Sequence, residues 1–282
     1  MTRPANAEQE AFWSGDAGQR WVAHHRDLDI LHDAVRARIM AAAAPQEGAR
    51  ILDVGCGGGA LTLSAARAVG PDGAAHGVDI SQPLLTLAAE AGLAAELGQA
   101  RFFHADAQTH AFEAGYDLVL SRFGVMFFAD PAAAFANLRA ALRPGGRLVA
   151  ATWAAAEHNP WFSTPRAAAV ARLGAPPSSD PDAPGPMALR EPARIRAILE
   201  AAGFDDISVT PEDIRLHHPD GWEAAQRLLP AIGPIPGVIR DREGGPDDLR
   251  AILEDMRARW APHLHADGLF LPARINLMTA RA

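Results

Sequence analysis

Between residues 50 and 60 an apolar run passes directly into a glycine-rich stretch, Ile51-Leu52-Asp53-Val54-Gly55-Cys56-Gly57-Gly58-Gly59. A short apolar run bounded by glycines predicts a buried strand, Arg50 to Val54. The residues from Ala60 to about Ala68 predict the helix that follows. Glycines at such a junction let the backbone approach a ligand without a Cβ in the way, and they adopt positive φ freely. The helix aims its unpaired N–H groups and its positive end at the turn. Alone, the turn fits several ligands: Gly55-x-Gly57-x-x-Ala60 also satisfies the alanine-ended dinucleotide fingerprint.

Strands and helices alternate from there onward. Further strands are predicted at Ala75 to Val78, Arg101 to His104, Tyr116 to Ser121 and Arg147 to Thr152. The helices between them are predicted at Gln82 to Leu97 and Pro131 to Leu142. Such alternation argues for a parallel sheet covered on both faces, with ligands beyond the carboxyl ends of its strands. Ahead of this core, Glu8 to Met40 reads as helical and is split into two pieces near Gly15 and Gly18. Behind it come helices at Trp161 to Leu173 and Pro192 to Ala202, a strand at Asp206 to Thr210, and helices at Trp222 to Leu229 and Asp247 to Trp260. A final strand is predicted at Leu269 to Ala280.

The expected organisation is an N-terminal helical cap over 1–45 and a core over 46–155. A helix with a proline-rich insertion over 156–190 follows, then a return to the core over 191–212. A helical lid over 213–267 and a closing core strand over 268–282 complete the chain. At 282 residues no disulfide or metal staple is needed.

Composition removes several chemistries. All 26 basic residues are arginine, so the chain can form no lysine Schiff base and supplies no P-loop lysine. One cysteine, Cys56, excludes an intramolecular disulfide and a multi-thiolate zinc site. The net charge of -8 and the lack of a basic cluster argue against a nucleic-acid partner. No apolar run reaches the length of a membrane span, and Met1 to Glu8 has no signal-peptide core; a cytoplasmic protein is expected. His263-x-His265 is not supported by a cluster of acidic ligands, and no metal is expected.

The second strand narrows the choice of ligand. Gly77-Val78-Asp79-Ile80-Ser81 ends it on a carboxylate suited to a ribose diol, with Ser81 as the expected cap of the next helix. Both NAD and S-adenosylmethionine present such a diol. Together with this pair, three further stretches resemble class I S-adenosylmethionine-dependent methyltransferases. They are His104-Ala105-Asp106-Ala107-Gln108, Tyr116-Asp117-Leu118-Val119-Leu120-Ser121 and Leu142-Arg143-Pro144-Gly145-Gly146-Arg147-Leu148-Val149. The five lie in the family's order over residues 50 to 152. The resemblance is to the subgroup of ubiquinone and menaquinone C-methyltransferases and small-molecule natural-product methyltransferases. Gly58 departs from it, standing where the family often has Thr or Pro.

The resemblance implies an α/β fold: a Rossmann-like, seven-stranded, mostly parallel sheet with helices on both faces and a helical lid. It also implies S-adenosylmethionine as cofactor and methyl transfer to an O, N or C atom of a small acceptor. Gly55, Cys56 and Gly57 would lie along the methionine and ribose, and Asp53 would orient the methionyl amine. Asp79 would hold the ribose hydroxyls, with Ile80 against the adenine. Asp106 would accept from the adenine amino group, with Ala107 or Gln108 reading the ring edge. The Ser121 carbonyl would face the amine or sulfonium. A dehydrogenase is the weaker alternative, because Tyr116 is the only tyrosine and no lysine can partner it. A protein that binds the cofactor without transferring methyl, or one with a dead pocket, are the others.

For the acceptor the sequence offers less. Ser121-Arg122-Phe123-Gly124 lacks the Asn/Asp-Pro-Pro-aromatic turn of enzymes acting on planar amides and bases. Trp21, Arg122, Phe123 and Trp161 are expected to contact the acceptor. His25 and His158 are candidate bases for an acceptor that must lose a proton. The segments 156–190 and 213–267 are expected to close over the acceptor and set its identity.

Overall fold

The computed structural model describes residues 5–178 and 180–282. The chain opens with four short helices, α1 (Ala7–Ser14), α2 (Asp16–Ala23), α3 (His25–Leu31) and α4 (Asp33–Ala43). Two pieces were expected. The extra breaks fall at His24 and His32, and each of those residues leaves helical geometry for one position.

The core alternates β1 (Arg50–Val54), α5 (Ala60–Val69), β2 (Ala74–Asp79), α6 (Gln82–Ala94), β3 (Ala100–His104) and β4 (Tyr116–Arg122). It continues through α7 (Pro131–Ala141), β5 (Leu142–Trp153), α8 (Pro160–Leu173), α9 (Pro192–Ala201) and β6 (Asp205–His218). Then come α10 (Trp222–Leu228), α11 (Pro234–Asp241), α12 (Pro246–Trp260), the two-residue β7 (Leu264–His265) and β8 (Gly268–Arg281). The strand order is β3-β2-β1-β4-β5-β8-β6, with β7 paired to β8. The first five strands in that order run parallel, and β8 enters antiparallel between β5 and β6. Ile51, Leu52 and Val54 of β1 and Leu118, Val119 and Leu120 of β4 are buried. Near-continuous apolar strands of this kind are what a sheet covered on both faces requires.

Two elements differ from the sequence expectation for a physical reason. β6 extends eight residues past Thr210 through Pro211, so the expected lid over 213–267 begins inside the sheet. Proline removes a ladder donor, but β6 is the edge strand, where that N–H would face solvent. α11 forms between the two helices expected after residue 213, in a stretch that holds Pro234 and Pro236. Both prolines lie in its first turn, where N–H groups have no partner in the helix to lose.

The sheet's chain order reverses between β1 and β4. The carboxyl ends of those strands therefore flank a crevice, as in other open α/β sheets. Helices α1 to α3 fold across its mouth. The late helices pack elsewhere: α8 lies against α11 and α12, with Trp161 stacked on Trp260 at 6.0 Å. No described helix is long and apolar enough to cross a membrane.

Candidate cofactor and acceptor site

The turn after β1 carries three glycines with positive φ: Gly55 at 65°, Gly57 at 54° and Gly59 at 85°. Gly55 runs against Gly124, which follows β4. A Cβ on Gly55 would lie 2.6 Å from the Gly124 Cα, and one on Gly124 would lie 2.4 Å from the Val54 carbonyl oxygen. Ser121 braces this contact: its hydroxyl donates to the Val54 carbonyl (2.7 Å) and accepts from the Gly124 N–H (3.1 Å). The Ser121 side chain is thus committed to holding the two turns together. Gly57 is different. No heavy atom lies within 4 Å of where its Cβ would be, so its backbone faces open space.

Three carboxylates stand at the ends of the first three strands. Asp53 accepts from the Thr62 hydroxyl at 2.6 Å through Oδ2, while its buried Oδ1 has no partner. Burial pushes its carboxyl up to about 7, and the nearby Arg122 charge offsets part of that. Asp79 accepts from the Gly57 N–H and the Ser81 N–H, both at 2.8 Å, and burial raises its pKa. Each oxygen of Asp79 keeps a lone pair for a further donor. Ser81 occupies the N-cap of α6, but its hydroxyl donates to the Trp13 carbonyl (2.7 Å) and ties α1 to the core. Asp106 accepts from the Gln108 N–H (2.9 Å) and from the Asn6 side-chain amide (2.8 Å).

Asn6 is a residue that sequence reasoning missed. It is 3% exposed. Besides Asp106, its amide reaches Gln108 Oε1 at 3.2 Å, and its carbonyl accepts from the Ala129 N–H at 2.8 Å. It therefore pins the N-terminal cap onto the rim where Asp106, Ala107 and Gln108 lie. Ile80 is on the same rim, with its carbonyl accepting from His104 at 2.9 Å. Asn6→Ala is expected to remove three hydrogen bonds, one buried and two partly buried, and to loosen the cap by about 1–3 kcal/mol. Hydrogen exchange over residues 7–23 should quicken while the central strands stay protected.

Under the cap lies a cavity of about 70 Å³. Trp21 and His25 close it from above, Leu28, Asp29 and His32 from the side, and Asp53, Gly55, Cys56 and Gly57 from below. Arg122 and Phe123 form the β4 wall. Small-molecule pockets are typically several times larger, and Asp79 and Asp106 lie beyond the lining of this one. Phe123 holds a left-handed conformation (φ 68°), which costs a non-glycine residue about 1–3 kcal/mol. Its ring stacks on Trp153 at 4.0 Å, and His32 meets both rings edge-on. Burial and the Arg122 charge hold the His32 imidazole down to about 3, so it is neutral.

The remaining sequence candidates separate clearly. His25 lines the cavity, and its Nδ1 lies 2.7 Å from the Val22 carbonyl. A carbonyl only accepts, so Nδ1 bears the proton and Nε2 keeps a lone pair. His158 is exposed on a short turn near Asp213, outside the cavity, and Trp161 is packed against Trp260 in the core. Among the described residues, the segments 156–190 and 213–267 contribute none to the cavity lining. Instead, Arg227 of α10 binds Asp27 of α3 at 2.8 Å and Asp220 at 2.6 Å, buttressing the cap from behind. Asp27, His218 and Asp220 are close enough together to suggest a cation site. Arg227 already neutralises both carboxylates.

A Rossmann-like sheet with a glycine turn and three strand-end carboxylates defines the class, and comparison with known proteins agrees. A family model described as a methyltransferase domain matches residues 51–146. The nocamycin O-methyltransferase of Saccharothrix syringae is 31% identical over 202 residues, covering 67% of this chain and 72% of that protein. The demethylmenaquinone methyltransferase of Staphylococcus aureus is 33% identical over 119 residues, covering 42% of this chain and 48% of that one. The fold is shared with phosphoethanolamine N-methyltransferase 2 of Haemonchus contortus, solved with S-adenosyl-L-methionine (TM-score 0.54, 20% identity, 87% of this chain and 51% of that one). The chain belongs to the class I S-adenosylmethionine-dependent methyltransferases.

The donor set suits that cofactor. Open space above Gly57 admits a close ligand, the partnerless Asp53 Oδ1 suits an ammonium, and Asp79 retains acceptor capacity for a diol. No phosphate has to be bound, so the absence of lysine is no handicap.

Proposed function

We propose that this enzyme methylates an acidic oxygen of a small, partly aromatic acceptor, with His25 as the base. When bound, the cofactor would supply an electrophilic methyl on a sulfonium, with a neutral thioether as the leaving group. The residues around it orient, shield and deprotonate. Asp79 holds the ribose hydroxyls, Asp106 and the backbone at Ala107 and Gln108 hold the adenine edge, and Asp53 faces the methionyl ammonium. Trp21, Leu28 and Phe123 form an apolar wall that excludes water and lays a planar acceptor against the methyl. His25 Nε2 takes the acceptor proton.

The observation that carries this reading is the placement of His25, with its tautomer fixed by Val22, in the same cavity as the glycine turn. The naming of the relative from Saccharothrix syringae as an O-methyltransferase supports oxygen over nitrogen or carbon. We also infer that the enzyme works in the cytoplasm, having no apolar run of membrane-span length, and without a nucleic-acid partner, on the strength of its net charge of -8 and its lack of a basic cluster. Labelled-methyl transfer to a panel of phenols, carboxylic acids, amines and carbon acids tests the proposal, with the methylated atom assigned by NMR. Transfer confined to nitrogen or carbon refutes the oxygen assignment. Cofactor binding without transfer to any acceptor would favour a non-transferring relative.

Two consequences concern cofactor affinity. Asp79→Ala is expected to weaken binding of S-adenosylhomocysteine by about 1.5–3 kcal/mol, through loss of hydrogen bonds to a charged acceptor. It also strands the Gly57 and Ser81 N–H groups, so a lowered Tm should accompany it. Unchanged affinity by calorimetry would remove Asp79 from the site.

Asp53 links affinity to pH. Its folded-state pKa of about 7 lies above the ordinary 3.8, so the fold retains a proton that the unfolded chain releases. Its contribution to stability is therefore present below 3.8 and lost as pH rises toward 7. An ammonium beside it reverses the preference, so cofactor binding expels that proton. Affinity should rise as pH climbs through about 7, with proton release visible in calorimetry as a dependence on buffer ionisation enthalpy. Asp53→Asn should abolish the dependence.

A further inference from the structure

The amino-acid end of the cofactor carries a carboxylate as well as an ammonium, and none of the family's five stretches provides for it here. Among the residues bounding the cavity, Asp29 and Asp53 are acids, His32 is a neutral imidazole, and Arg122 is the one permanent cation. An added carboxylate is repelled by the acids and needs a paired donor once out of water. Arg122 occupies the last position of β4, one residue beyond Ser121, so its guanidinium enters the crevice opposite the glycine turn.

The guanidinium is half used. Nη2 donates to Asp29 Oδ1 at 2.6 Å, which fixes its plane against α3. Nη1 is buried and has no hydrogen-bond partner. A buried charged donor left unpaired is costly and calls for an explanation. Asp53 Oδ1, 1% exposed and also partnerless, bounds the same cavity. One cavity thus presents an unpaired cationic donor and an unpaired carboxylate oxygen, the complement of an α-amino acid zwitterion.

We propose that Arg122 Nη1 binds the methionyl carboxylate of the cofactor while Asp53 takes the ammonium, with Asp29 as the positioning residue that aims the guanidinium. The assignment rests on the cofactor reading above. It moves Arg122 from the acceptor's side of the reaction, where the sequence had placed it, to the cofactor's. It also gives α3 a part in cofactor binding, through Asp29 on Arg122.

The test compares two probes by calorimetry without any acceptor: S-adenosylhomocysteine, and its decarboxylated analogue S-adenosyl-3-thiopropylamine. The wild-type enzyme should bind the analogue roughly ten- to hundredfold more weakly, the range for a charged hydrogen bond. Arg122→Gln should weaken S-adenosylhomocysteine by a similar factor and leave the analogue unchanged, so the discrimination collapses. Arg122→Lys should restore part of it. Asp29→Asn should weaken S-adenosylhomocysteine more than the analogue, whereas a merely structural role would weaken both alike. Full discrimination retained in Arg122→Gln would overturn the proposal. So would unchanged cofactor affinity with a raised acceptor KM, which would return Arg122 to the acceptor. If the wild-type enzyme bound neither probe, the cofactor reading beneath the proposal would itself fail. Should Arg122→Gln prove unfolded by circular dichroism, Asp29→Asn and Arg122→Lys decide alone.

Discussion

Gly124→Ala is expected to abolish cofactor binding and to lower stability by about 3 kcal/mol or more. The new Cβ would lie 2.4 Å from the Val54 carbonyl oxygen, 2.7 Å from the Gly55 Cα and 3.0 Å from the Ser121 hydroxyl. Two of these neighbours are backbone atoms, which cannot rotate away as a flexible side chain can. Overpacking in a core typically costs 1–3 kcal/mol, and here the clash also pries β1 from β4. Gly55→Ala should behave alike, with a positive-φ penalty of roughly 1–2 kcal/mol added to its 2.6 Å clash. Gly57→Ala is the control. Its Cβ meets nothing within 4 Å, so only the φ penalty falls on stability, while the methyl projects where the cofactor must lie. Thermal unfolding paired with S-adenosylhomocysteine titration separates the cases. A Gly124→Ala protein with wild-type Tm and affinity would mean that the two turns do not need their close approach.

His25→Gln is expected to reduce kcat by roughly 10²–10⁴-fold, the usual contribution of a positioned general base. Cofactor affinity should stay near the wild-type value, because His25 closes the cavity from the cap and belongs to neither the glycine turn nor the strand-end carboxylates. The loss should shrink for acceptors whose hydroxyl is already acidic, since an ionised oxygen needs no base. His158→Gln, exposed and outside the cavity, should leave kcat within twofold or so. Equal effects of the two substitutions would eliminate His25 as the base. The buried His32 is a poor rival: an imidazole held down to about 3 takes up a proton too weakly near neutral pH.

Both experiments probe a site whose parts differ in how openly the sequence declared them. The glycine turn and the three aspartates were legible because each follows its own strand, and strand ends are local features. A parallel sheet then gathers them at one edge with no further instruction. The anchors Asn6 and Gly124 were not legible. Asn6 stands at the N-cap of α1 but its side chain makes no cap bond there; its value arises from neighbours about a hundred residues away, Asp106 and Gln108. Gly124 looked like an ordinary turn residue until the Gly55 backbone was seen against it.

The lid shows the same division. Proline- and glycine-rich segments after residue 155 suggested a cover. The structure instead lines the cavity with α2 and α3 and makes α10 their support, through Arg227 on Asp27. Nothing local distinguishes a helix that caps a crevice from one that props the cap. Both are amphipathic, and only packing assigns the face.

The sequence by itself determined the α/β order, the cofactor class and the carboxylates at the strand ends, because these depend on short-range patterning and on which side chains are present. Tertiary structure alone decided which histidine meets the cavity, which guanidinium edge is left without a partner, and which helices close the crevice. Those properties are distances between residues far apart in the chain, and burial, not residue type, sets their chemistry.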